Sequence, residues 1–131
     1  MTEETKQITA EELAQSCASV ADDRKAENIT VIKVGEVSLI ADYFVICTAN
    51  SQPHLSAITE WTRRKLREKY NLRPISVDGT PVSQWIVMDY GNVVFHILTD
   101  EAREKYQLED LWGDAEKIEK IFSERVSNSS S

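Results

Sequence analysis

Few residues in this chain carry nucleophilic, acid–base or metal-binding chemistry, and their spacing limits what they can do. Cys17 and Cys47 are the two thiols, and His54 and His96 the two imidazoles. No pair of them has ligand spacing, so a metal site would need side chains to converge from distant parts of the chain. A Cys–His nucleophile could be assembled only from Cys47 with His54 or His96. Cys47, however, lies inside the apolar run Tyr43 to Thr48, where burial raises a thiol pKa and suppresses the reactive thiolate. Both cysteines sit among apolar neighbours, as buried thiols in a reducing compartment do. The glycines do not form the phosphate-cradling patterns of dinucleotide or P-loop sites, and no hydrolase elbow or HExxH pair occurs. The expectation is a protein without catalytic residues, metal or cofactor.

Charge is the stronger signal. The 131 residues carry a net charge of −7, with 41% hydrophobic and 28% charged residues, the balance of one globular domain with a real core. Residues 1–62 hold four cations and ten anions, and residues 74–131 five cations and eleven anions. Between them, residues 63–73 hold six cations and one anion. An acidic body disfavours general nucleic-acid binding, which needs concentrated cations, and favours a basic protein partner. The basic segment has two readings: cations completing the dipole of a helix C-terminus, or an anion or RNA contact through Arg63, Arg64 and Arg67.

The elements that position these residues follow from local patterns. Thr9 and Glu12 form a capping box with Ile8 and Leu13 at staple positions, and Leu13, Cys17, Val20 and Ala21 recur at helical spacing. This predicts a helix from about Ala10 to Lys25. Ile29–Val34 reads as a strand with a turn at Gly35-Glu36, and Tyr43–Thr48 as a strand buried on both faces. Asn50 or Ser51 caps a helix with Pro53 in its first turn and Leu55, Ile58, Thr62 and Leu66 on its inner face, running to about Tyr70. Pro74–Val77 reads as a strand and Asp78-Gly79-Thr80-Pro81 as a turn. Trp85–Met88 and Val93–Leu98 form a hairpin through Asp89–Asn92, with Gly91 supplying a positive φ. Alternation sends Val93, Phe95 and Ile97 to one face and Val94, His96 and Leu98 to the other, so His96 reads as a sheet residue with a hydrogen-bonding tip.

Thr99 or Asp100 caps a further helix carrying Arg103, Tyr106, Leu108, Leu111 and Trp112 and ending at Gly113. Asp114–Val126 completes an amphipathic helix. Residues 1–8 are expected to be flexible, 9–126 to form one domain and 127–131 to be disordered. With no apolar run of membrane length and no basic-then-apolar start, the expected setting is soluble and cytoplasmic.

Three blocks now carry a resemblance. They are Asp42-Tyr43-Phe44-Val45-Ile46 with Thr48 and Ser51, the hairpin Trp85-x-x-x-Asp89-Tyr90-Gly91-x-Val93-Val94-x-His96, and Arg103-x-x-Tyr106-x-Leu108-Glu109-x-Leu111-Trp112-Gly113. In this order the chain resembles the ribosomal silencing factor, or Iojap-related, family. It departs at Lys33, where an acidic residue is common, at Asp78, where glutamate is usual, and at Ala49-Asn50, in place of a glycine-containing turn.

The resemblance implies an α+β fold in a single domain: a mixed sheet flanked by helices, of nucleotidyltransferase-like topology without the catalytic residues. It implies binding to the large ribosomal subunit through ribosomal protein L-fourteen, steric blocking of subunit joining, and lowered translation when nutrients are short. The alternatives are a nucleotidyltransferase-type enzyme and a large-subunit assembly factor without silencing activity. A homodimer is expected in the free state. The expected contact residues are Trp85, Met88, Asp89 and Tyr90 on the hairpin and Glu101, Glu104 and Glu109 on or near the next helix. Tyr90 is singled out because turns are exposed.

Overall fold

Local chemistry sets the first helix. Thr9 Oγ1 accepts from the Glu12 amide and Glu12 Oε1 accepts from the Thr9 amide, each at 3.0 Å, closing the expected capping box. The computed structural model describes residues 8–34 and 41–107. Expectations for residues 1–7, the Gly35-Glu36 turn, the segment 108–113, the helix 114–126 and the tail 127–131 lie outside the described residues. Helix α1 spans Ala10–Asp23 and buries Leu13, Ala14, Cys17 and Ala21. It stops before Lys25 because that residue adopts a left-handed φ of 65°, which no continuing helix accommodates. Ile8, expected in a flexible terminus, packs against the core beside this helix.

Strand β1 (Glu27–Lys33) runs antiparallel to β2 (Tyr43–Ala49), with a register shift between Glu27 and Thr30 where Asn28 takes a φ of 51°. Such a bulge kinks an edge strand and makes it a poor template for pairing with another chain. Ser51 Oγ caps α2 (Gln52–Tyr70), accepting from the His54 amide at 3.1 Å. Asn71, left-handed at φ 55°, closes α2, and the Leu72 amide returns to the Leu66 carbonyl at 3.3 Å.

Strand β3 is Ser76–Asp78, later in the chain than expected. Asp78 pairs with Val87 as a strand residue rather than opening a turn. Strands β4 (Trp85–Asp89) and β5 (Val93–Thr99) form the hairpin, with the Tyr90 amide bonded to the Val93 carbonyl at 2.9 Å and Gly91 at φ 94°. Thr99 caps α3 (Asp100–Tyr106), which ends at left-handed Gln107 rather than at Gly113.

The five strands order as β1-β2-β5-β4-β3, with β2 and β5 parallel and the other neighbours antiparallel. The fold is α+β with a mixed sheet and flanking helices, as expected. One face, with Val45, Cys47, Met88, Phe95 and Ile97, packs under α1 and α2. The other gathers Phe44, Ile46, Trp85, Val87, Val94 and Leu98 with Ala102 and Tyr106 of α3. The alternation expected for β5 is therefore the one observed. Burying this apolar surface supplies the main drive to fold.

Candidate functional site

The residues expected to form one contact surface do not share one. Trp85 is 1% exposed, its Nε1 donates to His96 Nδ1 at 3.2 Å, and its ring centroid lies 4.5 Å from that of Tyr106. Met88 is fully buried on the opposite face, toward α1 and α2. Tyr90 follows Met88 by two residues, so it shares that face and turns into the same cluster at 6% exposure. The expectation that a hairpin-turn tyrosine is exposed is therefore corrected: the side chain folds back into the core. Burial first, and then the nearby Cys17 thiol, push the Tyr90 phenol well above its ordinary pKa, against a smaller opposing pull from Arg63. Its hydroxyl has no hydrogen-bond partner among the described residues.

Asp89 is half-buried, and its Oδ1 accepts from the Gly91 amide at 2.8 Å, which shapes the hairpin turn. Glu101 and Glu104 are exposed on α3 beside exposed Asp100. Asp89 pairs with Val94, five residues before Thr99, so roughly 17 Å of strand separates its level from the start of α3. Glu101 and Glu104 thus form a local acidic face and Asp89 lies apart from it. Glu109 lies outside the described residues.

What fixes that acidic face is Arg103, 7% exposed. Its Nη1 donates to the Asn28 carbonyl at 2.7 Å and to Thr48 Oγ1 at 2.8 Å, and its Nη2 to Thr30 Oγ1 at 3.4 Å. The guanidinium fork ties α3 to β1 and β2 at once, a task a lysine ammonium performs poorly. The sequence marked Arg103 as packing, and its polar reach across 75 residues had no local signal.

The turn between β2 and α2 is closed on itself. The Asn50 amide donates to His54 Nδ1 at 2.9 Å, which leaves the ring hydrogen on Nε2 to meet the Arg24 carbonyl at 2.7 Å. The Leu55 amide reaches the Ser51 carbonyl at 2.9 Å. Cys17 and Cys47 are fully buried. Burial, with Cys47 a smaller cause, raises the Cys17 thiol far above the usual range. Burial pushes Cys47 up to about 12 against a smaller opposing pull from Arg103. Among the described residues, no three His, Cys, Asp or Glu side chains gather as metal ligands, and no helix is long and apolar enough to cross a membrane.

On the opposite side of the sheet from α3, the exposed arginines Arg63, Arg64 and Arg67 of α2 line a cleft together with Arg73. Arg73 was not among the residues singled out from the sequence, although it closes the basic run.

A profile of the family described as RsfS, ribosomal silencing factor during starvation, matches residues 7–131. The chain belongs to this family. It is 35% identical over 112 residues to the ribosomal silencing factor RsfS of Halalkalibacterium halodurans, covering 86% of this chain and 95% of that one. It is 32% identical over 96 residues to the mouse protein named mitochondrial assembly of ribosomal large subunit protein 1, covering 72% of this chain and 42% of the relative. A crystal structure of a Chromobacterium violaceum protein, 22% identical, superposes with a TM-score of 0.76 over 81% of this chain and 88% of the other. That last likeness speaks for the fold. As an RsfS-family member the chain is a ribosome-associated regulatory protein.

Proposed function

We propose that this protein is a cytoplasmic translational repressor that docks on the large ribosomal subunit through ribosomal protein L-fourteen and sterically blocks the small subunit. The single observation that carries the reading is the family match across residues 7–131. The contact side is the exposed acidic face of α3, Glu101 and Glu104. Carboxylates held on a helix that Arg103 pins to the sheet suit a basic protein surface and repel RNA phosphates. Asp89, apart from this face, shapes the hairpin turn. Trp85, Met88 and Tyr90 support the fold from within instead of touching the partner.

The enzymatic alternative is disfavoured by the β2–α2 turn. There a nucleotidyltransferase would present backbone amides to a triphosphate, but here the Asn50 and His54 amides already bond to His54 Nδ1 and Ser51 Oγ. The name of the mouse relative favours a second reading, in which assembly of the large subunit accompanies silencing. In the free state, the protein would pair as a homodimer.

Co-sedimentation with isolated large and small subunits, without nucleotide, tests the reading. Selective pelleting with the large subunit is expected. Equal partition between the subunits, or binding only with ATP and Mg²⁺, contradicts it. Precursor profiles on sucrose gradients separate assembly from silencing, because only an assembly role changes them.

A further inference from the structure

The helix dipole accounts for only part of the basic cluster. Its field fades within the last turn of a helix. That explains Arg67 and Lys69, which lie in the last turn of α2. It does not explain Arg63 and Arg64, a turn or more earlier, or Arg73, which lies beyond the helix end.

Arg73 reaches this place through Asn71. The left-handed residue and the Leu72 amide bonded to the Leu66 carbonyl reverse the chain, so that Arg73 and Pro74 come to line one cleft with α2. The cleft holds about 750 Å³ and presents four guanidinium groups, with Glu60 and Glu68 as its acids. Glu68 is already occupied, by Arg64 Nε at 3.7 Å and Lys65 Nζ at 3.8 Å. Arg63, Arg67 and Arg73 form no ion pair with a carboxylate among the described residues. Mutually repelling cations held around one concavity are relieved by a bound anion, and the planar fork of arginine matches a phosphate two-pronged.

We infer that the cleft between α2 and β3 is a phosphate-binding site for an RNA backbone, contacted by Arg63, Arg67 and Arg73. Among the described residues no aromatic side chain lines it, so these residues offer a nucleobase no stacking face and would hold a free nucleotide poorly. A backbone running past exposed arginines needs only phosphates. The acidic α3 and the basic cleft lie on opposite faces of the sheet, which keeps the two fields from cancelling. The inference deepens the large-subunit reading by adding RNA as a second partner, and it rests on that reading only for the source of the RNA.

The test is the binding of a fluorescent RNA hairpin to the full chain across a salt series, in the absence of ribosomal proteins. Replacing Arg63, Arg67 and Arg73 together by alanine should weaken binding at least about tenfold and flatten the slope of log K against log salt by about two to three. All three side chains are exposed, so melting should be unchanged, and the single substitutions should each remove about a third of the slope change. Lys33→Ala, at the far edge of the sheet, should leave binding as it was.

Inorganic pyrophosphate at equal phosphate concentration should not displace the hairpin. Unchanged affinity and slope in the triple variant overturn the inference. Displacement by pyrophosphate overturns the assignment to an RNA backbone and gives the cleft to a free polyphosphate. Large-subunit docking measured on the same variants keeps a failure here distinct from a failure of the repressor reading.

Discussion

Trp85 Nε1 donates to His96 Nδ1 at 3.2 Å within the face of the sheet that α3 helps to close. The bond makes Nδ1 the acceptor of the imidazole and so places a neutral ring's hydrogen on Nε2; the His96 and Phe44 ring centroids lie 5.2 Å apart with the planes at 73°. A tryptophan held this way belongs to the fold rather than to a partner. Trp85→Phe removes the donor and part of the ring volume. It should cost about 1–3 kcal/mol for the lost bond, with a cavity contribution added. Urea denaturation reads it, and an unchanged midpoint would show that the pair contributes nothing.

Tyr90 makes the opposite case. Its buried hydroxyl has no hydrogen-bond partner among the described residues, so its desolvation is uncompensated. Tyr90→Phe should therefore leave stability unchanged or raise it by up to about 1–3 kcal/mol. Tyr90→Ala should cost about 3–5 kcal/mol through the cavity it opens. Both variants, where folded, should dock on the large subunit as the parent does. Loss of docking in a stable Tyr90→Phe protein would return this residue to the interface.

The thiols give a pH dependence with a definite sign. Cys47 titrates at about 12 in the fold against 9.0 for an ordinary thiol, so between those values the native state holds a proton that the unfolded state has released. Its contribution is fully present below about pH 9 and is lost as pH rises toward 12; Cys17 and Tyr90, both raised, act in the same direction. Melting temperatures should fall from neutral pH into this alkaline window, and less so in Cys47→Ala. Cys17→Ser and Cys47→Ser should each cost about 1–3 kcal/mol by placing an unpaired hydroxyl in an apolar site. Rapid alkylation of the folded protein at neutral pH would contradict this account of both thiols.

Charge reversal should separate docking from folding. Glu101→Lys and Glu104→Lys change exposed positions on α3, so melting curves should move little. Against a basic protein surface, each should weaken large-subunit binding by about 1–3 kcal/mol, or roughly ten- to a hundredfold. Asp89→Lys is a less clean probe because it also removes the acceptor of the Gly91 amide, and its melting temperature should drop as well. Parent-like binding by both α3 variants would place the protein contact elsewhere.

What was legible in the sequence was local. The Thr9–Glu12 box, the alternation along β5 and the positive φ of Gly91 each depend on residues a few positions apart and are as expected, while the caps, left open between Asn50 and Ser51 and between Thr99 and Asp100, fall on Ser51 and Thr99. What failed depended on long-range placement. Tyr90 follows a strand at a turn, a position that normally faces water, but here its ring is drawn under α1 and α2. The end of α3 was assigned to Gly113 because glycine is the usual left-handed residue, whereas Gln107 takes that conformation first. The arginine cleft could be read only in part, since the basic run is plain but the reversal at Asn71 that recruits Arg73 is a fact of backbone geometry.

Subunit joining measures occlusion directly. Purified large and small subunits are mixed with increasing amounts of the full chain, and association is followed by light scattering. Joining should fall in proportion to occupancy of the large subunit, and a folded Glu101→Lys/Glu104→Lys protein should lose the effect at the same concentration. Joining that proceeds undiminished with the large subunit saturated by the parent protein would contradict it.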